Sequence, residues 1–335
     1  MKKKKAFITG VAGQDGSYLA ELLLKKGYEV HGLIRRAAVE DQGARFSRIR
    51  HLEDRITLHH GDVSDYATVW RLVALVKPDE VYHLAAQSFV EESFKDPVST
   101  MRINIDGTQH LLSAIAALAP RCRFYFAATS EMFGRVRETP QNEDTAFNPV
   151  SPYGISKLAS FYLTRMYREG HGIFAVSGIL FNHESPRRST EFVTRKITHT
   201  AAKIKLGLAG ELRLGNLNAK RDWGYAGDYV EAMRLMLQQK TPRDFVVGSG
   251  EAHTVREFVE EAFGYLGLDW KKYVKVDKKF FRPVEVATLM SDPARAKKDL
   301  GWKPKTGFRE LVRMMADADL EALKTGEGGG QGLRA

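Results

Sequence analysis

Short apolar runs alternate through the first half of the chain with longer stretches whose apolar positions recur at helical spacing. The runs cover residues 6–9, 29–34, 56–60, 80–84, 124–128 and 174–179, and the amphipathic stretches cover 17–26, 66–76, 104–118 and 153–169. Strand followed by helix, repeated, is what a parallel sheet covered on both faces by helices requires. The pattern therefore predicts an α/β fold, a Rossmann-type doubly wound parallel sheet. After Phe181 the rhythm breaks. Residues 182–189 read as loop, 190–206 as helix, and 215–228 are rich in Gly, Asn and Arg. A helix over 225–238, a strand over 244–247, a helix from Thr254, a lysine-rich loop over 273–283 and a last helix over 308–323 follow. We expect residues 1–180, with 222–250 returning to them, to form the sheet unit. Residues 181–221 and 251–325 would form a smaller interleaved carboxyl-terminal lobe, and the glycine-rich 326–335 a flexible tail.

Composition narrows the class. The 335 residues carry 51 Lys and Arg against 41 Asp and Glu, a net charge of +10, of which Lys2 to Lys5 supply four. The remaining excess is dispersed and no helix-turn-helix, zinc or RNP pattern accompanies it, so phosphorylated small molecules are favoured as partners over nucleic acid. No apolar run approaches the roughly 18 residues of a membrane span, and the apolar stretch after Lys5 is too short for a secretory signal. The single cysteine, Cys122, fits a reducing compartment and offers no cluster for zinc. These features point to a cytoplasmic protein without a metal centre.

Gly10, Gly13 and Gly16 follow the first predicted strand and open a helix. Glycines at that spacing allow a tight turn and let backbone N–H groups approach a pyrophosphate, whose charge the helix amino end favours. Such a loop also occurs as an ordinary strand-to-helix turn; its place in a βα series selects the dinucleotide. At the end of the second strand stand Arg35 and Arg36, where a carboxylate would serve an NAD ribose. Two guanidinium groups there suit the 2′-phosphate of NADP, unless they are only a solvated surface pair. Asp62 and Val63 after the third strand are placed to bracket an adenine. Leu84, Ala85 and Ala86 end the fourth with small side chains that let a cofactor lie close.

Tyr153 and Lys157 are four residues apart on a predicted helix and so share a face. A nearby ammonium favours phenolate and makes a tyrosine, which ordinarily titrates near ~10, a usable base. Thr129, Ser130 and Glu131 lie at the carboxyl end of the fifth strand, the edge where open α/β sheets bind ligands.

The glycine loop, the Tyr153-x-x-x-Lys157 pair and Thr129 resemble the extended short-chain dehydrogenase/reductase family. Within it, Thr9 through Glu21, Arg35-Arg36, Ala85 to Ser88, Thr129 to Gly134, Ser151 to Gly154, Asn182 to Arg188 and Arg282 to Val286 resemble the GDP-mannose 4,6-dehydratases. The chain departs from that pattern at Ala37-Ala38, Ser189 and Ala287. The resemblance implies catalysis by Tyr153, Lys157, Thr129, Glu131 and Ser130. It adds Gln14, Asp15, Ser88, His183 and Arg188 to the cofactor contacts. For the nucleotide sugar it implies Ser88, Glu131, Asn182, Glu184, Arg187, Val193, Lys196, Leu212, Gly215, Asn216, Lys220, Arg221, Arg282 and Glu285.

The implied chemistry is loss of water from GDP-mannose by internal hydride transfer through tightly bound NADP, in a homodimer or homotetramer. Two other readings stay open. One is dehydration of GDP-D-glycero-D-manno-heptose, and the other is an NADPH-consuming nucleotide-sugar reductase, which would need Tyr153 and Lys157 but no carboxylate at 131.

Overall fold

A computed structural model describes residues 3–35, 46–281, 284, 286 and 288–326. The first half runs β1 (Lys5–Thr9), α1 (Gln14–Lys25), β2 (Glu29–Ile34), β3 (Thr57–His60), α2 (Tyr66–Val76) and β4 (Glu80–His83). Then come α3 (Val90–Lys95), α4 (Pro97–Met101), a π-helical turn (Arg102–Asp106), α5 (Gly107–Leu118), β5 (Arg123–Thr129), α6 (Pro152–His171) and β6 (Phe174–Leu180). The second half holds β7 (Asn182–Glu184), α7 (Val193–Lys205), β8 (Leu212–Leu214), β9 (Lys220–Arg221), β10 (Trp223–Tyr225), α8 (Ala226–Leu237) and β11 (Phe245–Val247). It ends with β12 (His253–Thr254), α9 (Val255–Tyr265), α10 (Trp270–Tyr273), β13 (Val274–Val276), β14 (Thr288–Leu289), α11 (Ala294–Leu300) and α12 (Phe308–Thr325).

Seven strands form one sheet in the order β11-β6-β5-β4-β1-β2-β3, and every pairing in it is parallel. All carboxyl ends therefore lie along one edge, where Thr9, His83, Thr129 and Leu180 close their strands. Leu19 and Leu23 of α1 pack with Met233 and Met236 of α8 on one face, while Leu72, Leu112, Ile115 and Phe161 cover the other. Ile197, Phe258, Phe263, Leu311 and Met315 form a third apolar cluster among α7, α9 and α12.

The expected doubly wound sheet is present. Three expectations are corrected. The helix predicted from residue 104 begins with the π-helical turn. Residues 182–184, expected as loop, form β7 and pair with β10, which lies in the stretch marked only by its composition. The lysine-rich loop contains β13, paired with β8. These strands are three residues long, too short for an alternation to show in sequence. They exist because distant segments supply the pairing. Asp222, fully buried, ties the region together by accepting from Ser249, Gly250 and Ser291.

Candidate active site

The glycine loop meets the demands of a pyrophosphate cradle. Gly10 has φ +76° and touches the backbone of Ala85; a Cβ on Gly16 would sit 2.3 Å from the Gly10 carbonyl oxygen. Gly13 is the N-cap residue of α1 and no side chain caps that end. The first-turn N–H groups are thus available to an anion. Leu84 and Ala85 pack on this loop; Asp62 and Val63 follow β3 at the same carboxyl edge, Val63 buried in the apolar cluster beside Gly107, and Arg35 lies just beyond β2. Arg36 lies outside the described residues.

Gln14 and Asp15 join the cradle to β7. The Gln14 amide donates to the His183 carbonyl at 3.0 Å and its oxygen accepts from Ser185 at 2.8 Å. The His183 ring lies 2.8 Å from Asp15 through Nε2 and 2.7 Å from the Phe181 carbonyl through Nδ1. Burial acts against charge on both partners, but each charge offsets the other's burial: Asp15 is held below the usual carboxylate range and His183 above the usual imidazole value.

A cavity of about 320 Å³ opens between this edge and the carboxyl-terminal lobe. Thr129, Ser130, Glu131, Tyr153 and Lys157 line it together, with Asp15, Leu84, Ala86, Ser88 and His183. From the lobe side it is lined by Asn182, Glu184, Arg188, Val193, Lys196, Gly215, Asn216 and Arg221.

Local structure fixes the reacting side chains. Ser151 caps α6 by accepting from the Gly154 amide at 3.0 Å, and Pro152 occupies the first turn, so Tyr153 enters the cleft from the first turn of the helix. Thr129 ends β5, and its hydroxyl accepts from the Glu131 amide at 3.2 Å, holding the 3₁₀ turn Ser130–Met132 and the Glu131 side chain against the cavity. Burial pushes the Tyr153 phenol up to about 12, offset in part by a hydrogen bond with Thr129. Burial pulls the Lys157 ammonium down to about 7. Lys157 Nζ donates to the Ala127 carbonyl at 2.8 Å and lies 6.0 Å from the centre of the Tyr153 ring. The expectation that Lys157 lowers the Tyr153 pKa is thus corrected for the chain by itself: burial governs both groups.

Several residues implied by resemblance face elsewhere. Arg187 turns to α1, donating to Ser17 at 3.0 Å and Glu21 at 2.5 Å over the ring of Tyr18. Leu212 is buried in the third apolar cluster, and Lys220 points outward beside buried Arg221. Gln14 is held by its own contacts beneath the cleft wall. Glu184 lines the cavity but is already engaged, accepting from Thr194 at 2.6 Å and pairing with Arg188 at 3.1 Å. Lys196 is half-buried, 3.7 Å over the ring of Phe280. Arg282 and Glu285 lie outside the described residues.

Two residues were missed. Asn104, buried in the π-helical turn, grips Gln87 through both backbone groups, at 2.9 and 3.1 Å, and donates to Ser156 on α6 at 2.8 Å. It thereby sets the segment leading to Ser88 against the helix of Tyr153; turns of this kind are common at functional sites. Phe280 lines the cavity mouth from beyond β13, and its carbonyl packs so closely on Gly215 that a Cβ there would lie 2.3 Å away. Asn104 could have been found as a polar position on the buried face of its helix; Phe280 carried no signal. Among the described residues no group of three His, Cys, Asp or Glu gathers as for a metal ion, and no helix is long and apolar enough to cross a membrane.

A glycine cradle above a parallel sheet, with a tyrosine and a lysine one helical turn apart facing it, defines the short-chain dehydrogenase/reductase class. Comparison with known proteins narrows this. The family model described as GDP-mannose 4,6 dehydratase matches residues 7–315. GDP-mannose 4,6 dehydratase 1 of Arabidopsis thaliana is 51% identical over 334 residues, covering 96% of this chain and 91% of the relative. The human GDP-mannose 4,6 dehydratase is 48% identical, covering 96% and 92%. The solved UDP-glucose 4-epimerase of Thermus thermophilus, in complex with NAD, superposes with a TM-score of 0.81 at 28% identity, covering 94% of this chain and 98% of that one. The chain belongs to the GDP-mannose 4,6-dehydratase family.

Proposed function

We propose that the protein converts GDP-α-D-mannose to GDP-4-dehydro-6-deoxy-α-D-mannose and water, with NADP as a resident cofactor. The observation that carries this reading is the presence of Glu131 in the same cleft as Thr129, Tyr153 and Lys157. Oxidation or reduction alone requires the tyrosine and lysine; only elimination also requires a base beside them. The bare glycine cradle and its uncapped helix suit the pyrophosphate, and Arg35 with Arg36 suits a 2′-phosphate. A nicotinamide held there would supply reversible hydride storage between C4 and C6 of the sugar, so that no external oxidant is consumed.

Tyr153 accepts the proton of the sugar 4-hydroxyl, which Thr129 orients through the shared hydrogen bond. Lys157 holds the cofactor ribose. With C4 a carbonyl, the C5 proton becomes acidic. Glu131 removes it, and the C6 hydroxyl leaves as water with that carboxyl as its proton donor, Ser130 assisting. Tyr153 then gives up the proton it took from the 4-hydroxyl, which balances the proton that returns to C5 and restores the base. On the lobe side Asn182, Lys196, Asn216 and Arg221 hold the nucleotide, within residues 181–221 and 251–325.

Assembly into a homodimer or homotetramer is part of this reading. Ile155, Tyr162 and Met166 of α6 are exposed, apolar and spaced at helical intervals, as an interhelical contact between copies would require. Light scattering at twice or four times the chain mass supports it, and a monomer mass contradicts it.

The function is tested by incubating the purified protein with GDP-mannose and no added nicotinamide. Loss of 18 daltons, the mass of one water, supports the reading. Gain of two hydrogens only with NADPH, or dehydration of GDP-manno-heptose alone, overturns it.

A further inference from the structure

Asp319 on α12 is fully buried, an expensive place for a carboxylate unless it is paired. Arg195 of α7 meets it with Nε at 2.7 and 2.9 Å from its two oxygens, and Thr198 donates to it at 2.6 Å, with His199 3.3 Å away. Elsewhere α7 and α12 pack through Ile197, Ala201, Met315 and Ala316, so apolar side chains suffice to join them. A buried ion pair is weak evidence of added stability. What it supplies here is direction. The other end of the Arg195 guanidinium donates to the carbonyls of Pro186 and Arg188, the latter at 3.1 Å.

Those carbonyls belong to the loop that carries Arg187 and Arg188. The same loop is tied to the sheet unit through Arg187, which reaches Ser17 and Glu21, and through Arg48, whose Nε donates to the Arg187 carbonyl at 2.7 Å. Arg48 is depressed by burial and by repulsion from Arg195, Arg187 and Arg188, so these cations stand close enough to feel one another. Arg188 alone of the loop pair lines the cavity, its guanidinium 3.5 Å over Phe192. Asp319 and Arg195 do not line it.

We propose that Asp319 and Arg195 are positioning residues: the buried carboxylate orients the guanidinium, which clamps the 186–188 backbone and so aims Arg188 at a diphosphate in the cleft. This rests on the functional reading above for the identity of the diphosphate, which is that of the nucleotide sugar or that of the dinucleotide. A fork-shaped guanidinium is needed, since one ammonium has neither the reach nor the planar donors to serve a carboxylate and two carbonyls together.

The test is a double-mutant cycle read by calorimetric affinity for GDP and, separately, for NADP⁺. Arg195→Lys keeps the charge opposite Asp319 and loses the clamp. It is expected to weaken one of the two ligands about tenfold, a change of roughly 1.4 kcal/mol, and the ligand affected identifies the diphosphate. Placed on Arg188→Ala, the same change is expected to weaken binding no further. Asp319→Asn, which keeps a partner for Thr198, should weaken the same ligand; if it fails to fold, the Arg195→Lys cycle decides alone. Unchanged affinity for both ligands in Arg195→Lys, or a loss that persists at full size in the Arg188→Ala background, overturns the proposal. Wild-type protein that binds the ligands but releases no water from GDP-mannose would overturn the functional reading and leave the cycle interpretable.

Discussion

The Asp15 carboxylate of the glycine loop lies 2.8 Å from Nε2 of His183 on β7, so the dinucleotide cradle and the entry to the carboxyl-terminal lobe share one partly buried ion pair. Its two members titrate in opposite senses. His183 is raised in the fold, so its contribution is whole below the unfolded value near ~6.5 and is lost as pH climbs through the folded value. Asp15 is lowered, so its contribution fails only as pH drops through a value below the ordinary carboxylate range. Melting temperatures between about pH 6 and 9 should therefore fall more steeply for the wild type than for His183→Asn. Parallel curves would mean that the pair does not contribute.

Lys157 should give a slope of opposite sign. Its folded value is pulled to about 7 by burial, whereas an unfolded lysine keeps its proton to about 10.4. Between these the unfolded chain binds more protons, so stability rises with pH. Lys157→Met removes that component, and chemical denaturation of both proteins across this range measures it. A variant with the wild-type slope contradicts the buried placement of the ammonium.

Glu131→Gln tests the step that distinguishes elimination from simple oxidation. GDP binding should be unchanged, while water release slows by roughly 10²–10⁴, the usual worth of a positioned acid–base group. A variant with normal turnover would remove Glu131 from the reaction.

The 2′-phosphate assignment predicts selectivity. Arg35→Ala combined with Arg36→Ala should cost about a hundredfold or more in NADP affinity, since each charge-assisted hydrogen bond contributes roughly 1.5–3 kcal/mol, and leave NAD affinity nearly unchanged. Equal losses for both dinucleotides would defeat it.

What could be read in advance follows from range along the chain. The βα alternation, the glycine cradle and the i, i+4 spacing of Tyr153 and Lys157 are local features, and local features leave periodic or motif traces. Arg187 and Lys220 turn away from the cleft because neighbours in a strand or tight loop face opposite sides: Arg188 lines the cavity next to Arg187, and Arg221 is buried beside exposed Lys220. Leu212 shares a strand face and the third apolar cluster with Leu214, but only Leu214 reaches the cavity. Asn104, Phe280 and the Asp319–Arg195 clamp depend on contacts across long stretches of chain. Asp319 and Arg195 are 124 residues apart, and nothing in either helix alone marks them as partners.

In the proposed reaction, oxidation at C4 and reduction at C6 are two ends of one hydride transfer within a single active site. GDP-mannose carrying deuterium on C4, mixed with unlabelled substrate, follows that hydride. The label is expected on C6 of the same molecule that lost it. Deuterium released to water, retained at C4, or scattered onto unlabelled molecules would contradict the proposed reaction.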